Sequence, residues 1–176
     1  KLKVKEAEEL GLDTVSSFIN ELAGYRKQLA EPYFKDRQVD DNLIKEAYER
    51  SKYDIRASHI LIRLDPEAKP EDTLIAYNKI MDIRSGILDG EDFGKAAEEM
   101  SEDPSARDRE ATKMRPFMKG NKGDLGYFTV FDMVYPFESG AYATEPGNIS
   151  MPVRTNYGYH IIKVTDKMEA MGRVHA

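Results

Sequence analysis

The hydrophobic pattern of this chain changes its period once, near residue 53, and this change limits the folds that the sequence can adopt. Before it, in "SSFINELAGYRKQLAEPYF", apolar residues recur at three- and four-residue spacing, as on one face of a helix; they are Phe18, Leu22, Tyr25, Leu29 and Tyr33. After it, in "YDIRASHILIRL", the side chains alternate as in a β-strand. The sequence therefore predicts a helical segment over residues 1–52 and a second domain that begins at residue 53.

The strand that follows the change has two rather apolar faces. One face carries Ile55, Ala57, His59 and Leu61, and the other carries Arg56, Ser58, Ile60 and Ile62. A strand that is covered on both sides lies inside a sheet, because an edge or surface strand has one polar face. We therefore predict a central strand over these residues.

Further along the chain, the patterns predict the element order β-α-α-β-α-β-β. The first helix is expected to have Asp72 or Thr73 as its N-cap, a later short helix to be interrupted at Pro136, and Pro146-Gly147 to form a type II turn. The last two strands are expected to form a hairpin through residues 156–158. We predict an α+β domain over residues 53–167, with a small and mainly antiparallel sheet.

The end of the chain predicts a linker over residues 168–176. Its final residues, "GRVHA", partly echo "DIRASHILI" at the start of the sheet domain, as expected if a second copy of the domain follows in the parent protein. The chain also opens without a start methionine, so we interpret it as a fragment.

Composition excludes several classes of function. The net charge of −6 and pI of about 5.2 argue against a nucleic-acid partner, since phosphate binding requires a basic face. The absence of cysteine excludes disulfides, thiol catalysis and thiolate metal sites. No apolar run approaches the ~20 residues that cross a bilayer, so no transmembrane segment is predicted.

Two histidines are the main candidates for chemistry. His59 and His160 each sit on an apolar strand face, and their imidazoles would meet if the two strands were neighbours. A mutually hydrogen-bonded neutral pair and a pair of satisfied core residues are both open on this evidence. A facial metal triad with Asp103 lacks any local ligand cluster, and no Gly-x-Ser-x-Gly elbow is present, so we predict neither a metal, a cofactor nor a nucleophile.

One segment is basic in an otherwise acidic chain. Residues 107–122 contain six Lys or Arg and two acids. The segment is interpreted as a solvated loop or, alternatively, as a docking surface for an acidic partner.

Five blocks of sequence resemble one known family. "ASHILI", "GDLGYF", "YPFESGAYAT", "PGNISMPV" and "TNYGYHIIKV" occur in the order and spacing of the parvulin-type peptidyl-prolyl isomerases, over residues 54–166. The resemblance implies a four-stranded sheet wrapped by helices, with paired histidines beneath the substrate proline. It implies catalytic positions and substrate-binding positions, respectively, at His59, His160, Asp103 and Thr155, and at Leu125, Phe128, Met133 and Phe137.

The resemblance also implies a function. It predicts a non-covalent peptidyl-prolyl cis/trans isomerase that acts on unfolded or partly folded proline-containing polypeptides, and the alternative is a peptide-holding chaperone without turnover. A helical segment before such a domain resembles bacterial extracytoplasmic folding factors, periplasmic or membrane-anchored. The helical segment itself is interpreted as a small bundle or stalk, or as a peptide-binding arm. Acids outnumber bases in "RLDPEAKPEDT", after the first strand, which argues against a phosphate preference.

Overall fold

The computed structural model describes residues 2–34, 37–112 and 114–170. The chain divides into two compact units, Lys1–Glu46 and Ala47–Ala176, and the division lies inside a helix rather than at the change of period. Most of the predicted linker, the "GRVHA" echo and His175 lie outside the described residues.

The described residues of the first unit are mainly helical, as predicted. Helix α1 spans Leu2–Glu9, a 3-10 turn spans Leu12–Thr14, helix α2 spans Ser16–Phe34, and helix α3 spans Arg37–Ser51 and crosses into the second unit. Within the described ranges, no helix is both long enough and apolar enough to cross a membrane.

The second unit contains the predicted four-stranded sheet. The strands β1 to β4 are Tyr53–Arg63, Asp124–Phe128, Val153–Thr155 and Gly158–Glu169, and the helices α4 to α6 are Pro70–Leu88, Phe93–Met100 and Tyr135–Tyr142. The sheet order is β2-β1-β4-β3, and every neighbouring pair is antiparallel. The α+β class, the element order and the central position of β1 are therefore confirmed.

Each face of the sheet builds its own core. Ile60, Ile62 and Ile161 pack with α4 and α5 on one side. Ile55, Ala57, Ile162 and Val164 pack on the other side with Phe128 of β2 and with Phe137 and Ala141 of α6. The alternation predicted for β1 thus assigns His59 to the face that α6 covers.

Two predictions about helices are wrong, and proline explains both. Helix α4 begins at Pro70 and has Lys69 as its N-cap instead of Asp72 or Thr73. Helix α6 begins at Tyr135 with Pro136 in its first turn instead of being interrupted there. Proline is favoured in the first turn because its fixed φ suits the helix and its missing N–H would have no helical partner.

The predicted turn at residues 146–147 is confirmed. Gly147 has a φ of +89°, and the Asn148 N–H donates to the Glu145 carbonyl at 3.0 Å. The next tight connection joins β3 to β4, where Gly158 has a φ of +143° and a Cβ would lie 2.0 Å from the Ile62 carbonyl oxygen. Only glycine allows β4 to approach β1 so closely at this point.

The basic segment 107–122 forms an irregular hairpin. Bridges join Arg109 to Met118 and Thr112 to Arg115. At its base, the Arg107 guanidinium donates to the carbonyl oxygens of Glu98, Glu99 and Ser101 near the end of α5. A cation is favourable at this position because the last carbonyls of a helix carry partial negative charge.

Candidate active site

The two buried histidines lie on neighbouring central strands and on the same face of the sheet. In the register of β1 and β4, Leu61 is opposite His160 and His59 is opposite Ile162. The histidines are therefore diagonal neighbours, a position from which long or aromatic side chains reach each other. Their Nδ1 atoms are 3.2 Å apart, and the rings lie nearly parallel at an interplanar angle of 17°.

These histidines are the middle of a four-residue chain of hydrogen bonds. His59 Nε2 is 2.8 Å from Asp103 Oδ2, and His160 Nε2 is 2.8 Å from Thr155 Oγ1. The ends of the chain are also bonded, because the Ser105 N–H donates to Asp103 Oδ1 and the Tyr157 N–H donates to Thr155 Oγ1. The structure therefore brings together all four predicted catalytic positions.

One arrangement of protons satisfies every bond in this chain. An ionised Asp103 accepts from His59 Nε2–H, which leaves Nδ1 of a neutral His59 as an acceptor. His160 must then donate from Nδ1, and its bare Nε2 accepts from the Thr155 hydroxyl. The hydroxyl keeps a lone pair for the Tyr157 N–H. The tautomers follow from the partners, with both imidazoles neutral.

The electrostatics of the site agree with this arrangement. Burial lowers the pKa of His59, although the hydrogen bond and charge of Asp103 act in the opposite direction. Burial and, next, the neighbouring His59 lower the pKa of His160 to about 3. Burial raises the pKa of Asp103, but hydrogen bonds from Ser105 and His59 outweigh it, so the net shift is downward. At neutral pH this series of hydrogen-bonded side chains therefore contains one carboxylate, from Asp103, and two uncharged imidazole rings.

Asp103 reaches His59 because the segment before it docks on the free edge of β1. The pairing of β1 with β2 stops at Ser58, and beyond it the Glu102 N–H donates to the Leu61 carbonyl at 2.7 Å. The buried Ser101 hydroxyl accepts from the N–H groups of Leu61 and Asp103. Asp103 then caps the 3-10 turn Pro104–Ala106.

A cavity of about 390 Å³ opens over the histidines. Its apolar wall contains Leu125, Met133 and Phe137, three of the predicted substrate-binding positions. The Phe137 ring meets both imidazoles edge to face, at centroid distances of 5.7 and 5.3 Å. The volume is within the ~300–1,000 Å³ of small-molecule sites.

Two predicted positions support this cavity from behind and do not line it. Phe128 is buried and packs against Phe137, with ring centroids 6.2 Å apart. Thr155 is buried and bonds to two lining residues, His160 and Tyr157, without lining the cavity itself. No described residue of the basic segment 107–122 is part of the lining.

Several lining residues escaped the sequence analysis. They are Leu61, Arg63, Asp132, Val134 and Tyr157. The alternation of β1 contains a signal for two of them, because Leu61 and Arg63 share the face of His59 at two-residue intervals. The other three lie outside strands and helices, where no period exists to assign a direction.

The second unit also has a larger groove away from this cavity. A groove of about 800 Å³ beside α4 and α5 is lined by none of the predicted site residues and has a mainly charged rim, including Lys79, Asp82, Glu91, Glu99 and Arg107. Across the described part of the chain, no group of three or more His, Asp or Glu is arranged to hold a metal ion.

The sequence of the second unit matches a known protein family. Residues 59–166 match the family model of the PPIC-type peptidyl-prolyl isomerase domain, also called rotamase, which is more than half of the chain. This chain belongs to the parvulin-type isomerase family. Its second unit is accordingly a parvulin domain, and the matched residues include all eight predicted site positions.

Similarity to individual bacterial proteins supports the assignment to this family. The chain is 40% identical over 133 residues to foldase protein PrsA of Geobacillus kaustophilus, and 34% identical over 150 residues to that of Clostridium tetani. These matches cover 76% and 81% of this chain and 39% and 37% of the relatives, so the chain spans about two fifths of their length. The crystal structure of the PrsA isomerase of Bacillus anthracis superposes with a TM-score of 0.53 at 26% identity, over 94% of this chain and 69% of that one.

Proposed function

We propose that this chain catalyses cis/trans isomerisation of Xaa-Pro bonds in unfolded or partly folded polypeptides, by a non-covalent mechanism. The observation that carries the proposal is an apolar cavity directly above a fully hydrogen-bonded, uncharged histidine pair. The family membership supports the reaction, and the name foldase supports polypeptide substrates.

In this proposal, Leu125, Met133 and Phe137 hold the pyrrolidine ring of the substrate proline. An aliphatic, a thioether and an aromatic side chain form a dry wall that adapts to a saturated ring. Phe128 fixes the Phe137 ring from behind, so that the wall keeps its shape. When the protein holds the ring in this way, isomerisation proceeds by rotation of the preceding residue about the Xaa-Pro bond.

The proposed rate enhancement comes from the twisted amide. Rotation about the peptide bond faces a barrier of ~18–20 kcal/mol because resonance holds the amide planar. In the twisted transition state this resonance is lost, and the separation of charge between the carbonyl oxygen and the nitrogen falls. An apolar cavity favours the less polar twisted amide over the planar one, and this is differential binding of the transition state.

His59, His160, Asp103 and Thr155 are proposed to organise the cavity, without a nucleophilic role. The ring nitrogens of both histidines already have hydrogen-bond partners. The two imidazoles therefore form a rigid floor of the cavity with a fixed orientation. A floor that is already organised does not have to rearrange when the amide twists. The neutral state of both rings also avoids burying a cation under an apolar substrate.

The charged residues that line the cavity favour substrates without a phosphate group. The cavity is lined by one cation, Arg63, and by two acids, Asp103 and Asp132. Arg63 donates from Nε to the Glu102 carbonyl, and its N–H donates to the Glu102 carboxylate. A phosphoserine before the proline would bring about −2 charges towards this acidic surrounding.

We also propose that the full-length protein works outside the cytoplasm of a bacterium, as a periplasmic or membrane-anchored folding factor. The bacterial foldase relatives and the helical unit support this proposal. Fractionation of cells that express the full-length protein tests it, and recovery in the cytosol would refute it.

The deciding experiment is two-dimensional exchange NMR on a short unphosphorylated Ala-Pro peptide with catalytic amounts of the chain. We expect exchange cross-peaks to grow with protein concentration. Met133→Ala should reduce the rate roughly tenfold, because it removes a wall of the ring pocket, a loss of ~1–3 kcal/mol. Met151→Ala is the matched control, since Met151 is exposed and does not line the cavity.

The alternative function predicts a different result. A chaperone that only holds peptides would shift the peptide signals without faster exchange. Exposed apolar residues of the helical unit favour such holding; they are Phe18, Ile19, Tyr25 and Leu29. His59→Ala separates the two functions, because it should reduce isomerisation more than peptide affinity in an enzyme.

A further inference from the structure

Next to the cavity, an aromatic residue occupies an unfavourable backbone conformation. Residues 129–132 form a tight turn in which the Asp132 N–H donates to the Thr129 carbonyl at 3.3 Å. Phe131 is the third residue of this turn and has a φ of +73°. Glycine or asparagine is normal at such a position, because a Cβ is strained at positive φ.

The turn is held in this conformation from both ends. The Phe131 N–H donates to Glu138 Oε2 at 2.7 Å, and the Thr129 N–H donates to Asp132 Oδ2 at 2.9 Å. Glu138 is buried, and its other oxygen pairs with Arg50 at 3.0 Å. Strained residues persist where the surroundings over-determine them, and they concentrate at functional sites.

The strained conformation of Phe131 does not serve to bury its ring in the core, because the side chain is 81% exposed. Its neighbours in the chain indicate a role at the cavity instead. Asp132, Met133 and Val134, the next three in the chain, all line the cavity. With consecutive Cα atoms ~3.8 Å apart, the Phe131 Cα lies within about 8 Å of the Met133 Cα. The backbone that carries this exposed aromatic ring is therefore fixed within three residues of the cavity lining.

We propose that Phe131 forms a second apolar subsite, which binds a large apolar side chain adjacent to the proline of the client polypeptide. This inference rests on the proposed function and extends it to a substrate preference. Phe131 precedes Met133 and Val134 by two and three residues, and both of these line the proline cavity, so the subsite lies beside that cavity. Unfolded chains expose aromatic and aliphatic side chains that folded chains bury, so the subsite selects the clients of a folding factor.

The test compares three unphosphorylated peptides with the cores Ala-Pro-Ala, Phe-Pro-Ala and Ala-Pro-Phe. The readout is the ratio of the exchange rates, and of the affinities from NMR titration, for each Phe peptide relative to the all-Ala peptide. We expect the unmodified chain to prefer at least one Phe peptide about fivefold, the size of one aromatic contact. Phe131→Gly and Phe131→Asn, which both tolerate positive φ, should reduce this ratio to near one.

Two further measurements keep the test decisive. Phe117→Ala removes another exposed aromatic, from the hairpin of the basic segment, and should leave the ratio unchanged. The thermal midpoint of Phe131→Gly should equal or exceed that of the unmodified chain, because glycine relieves the strain. A lowered midpoint would show that the ring serves stability and would overturn the proposal.

The outcomes separate this inference from the proposed function. A ratio near one in the unmodified chain, or an unchanged ratio in Phe131→Gly, overturns the subsite even if all three peptides are turned over. No faster exchange with any peptide overturns the isomerase, and the ratio of affinities then decides the subsite by itself.

Discussion

Arg50 offers a direct test of how the pocket helix α6 is held. Its Nη1 lies 3.0 Å from Glu138 Oε1, and its Nη2 lies 2.9 Å from Ser139 Oγ. The side chains of Arg50 and Glu138 are only 11% and 4% exposed. Arg50→Met keeps most of the aliphatic volume of the side chain and removes its charge, so the Glu138 carboxylate remains buried without this cation.

The expected loss of stability follows from that burial. Removing one member of a buried ion pair costs ~3–5 kcal/mol, because the remaining charge has lost its compensation. The double variant Arg50→Met/Glu138→Gln should recover at least ~1 kcal/mol of the loss, since the neutral amide can still accept from the Phe131 N–H. Breaking an ion pair on the surface costs far less free energy of unfolding, because such a pair contributes only ~0–1 kcal/mol.

Urea unfolding measures the effect if it is followed by the NMR signals of β1 and β4, which report on the sheet alone. Lys52→Met is the matched control, because Lys52 pairs with Glu49 at 2.6 Å on the surface of the same chain segment. We expect the control to leave the midpoint unchanged. The reasoning is refuted if Arg50→Met also leaves it unchanged, or if the double variant is less stable than Arg50→Met alone.

The remaining predictions concern pH and two glycines. Because the pKa values of His59 and His160 are lowered in the folded state, the unfolded state binds more protons below pH ~6.5, and stability should fall from there towards pH 4. The slope of the free energy of unfolding against pH should be smaller in His160→Asn than in the unmodified chain. An equal slope in the two proteins would contradict the assignment of neutral rings. Gly158→Ala should lower the thermal midpoint far more than Gly147→Ala, because a Cβ at Gly158 meets the Ile62 carbonyl whereas one at Gly147 meets open space. Similar midpoints in the two alanine variants would show that the β3–β4 connection relaxes.

The family resemblance indicates candidate site positions, but the contacts that these residues make follow only from the tertiary structure. The Asp103 position was identified from the family pattern, yet its bond to His59 depends on Ser101 and Glu102 docking on the edge of β1. Phe128 was grouped with the pocket residues, and the structure shows that it packs behind Phe137. A sequence pattern names a position, whereas the direction of a side chain depends on backbone geometry around it.

The sequence alone determined the features that repeat with a local period. The change from helical to alternating spacing near residue 53 predicted the start of the sheet, and the two apolar faces of "ASHILI" predicted a central strand. Periodicity predicts these features because it records which side of an element faces the core. It also placed His160 on the face of Ile162 and Val164, as the structure confirms.

Contacts between distant parts of the chain follow from the tertiary structure and not from local patterns. The histidines meet because the register of β1 and β4 sets them diagonally across 101 residues, and a shift by one residue would turn every side chain of one strand to the other face. Arg50 meets Glu138 across 88 residues, and Phe131 keeps its positive φ because that same carboxylate binds its N–H. Such contacts depend on register, docking and backbone strain, and none of these leaves a periodic trace in the sequence.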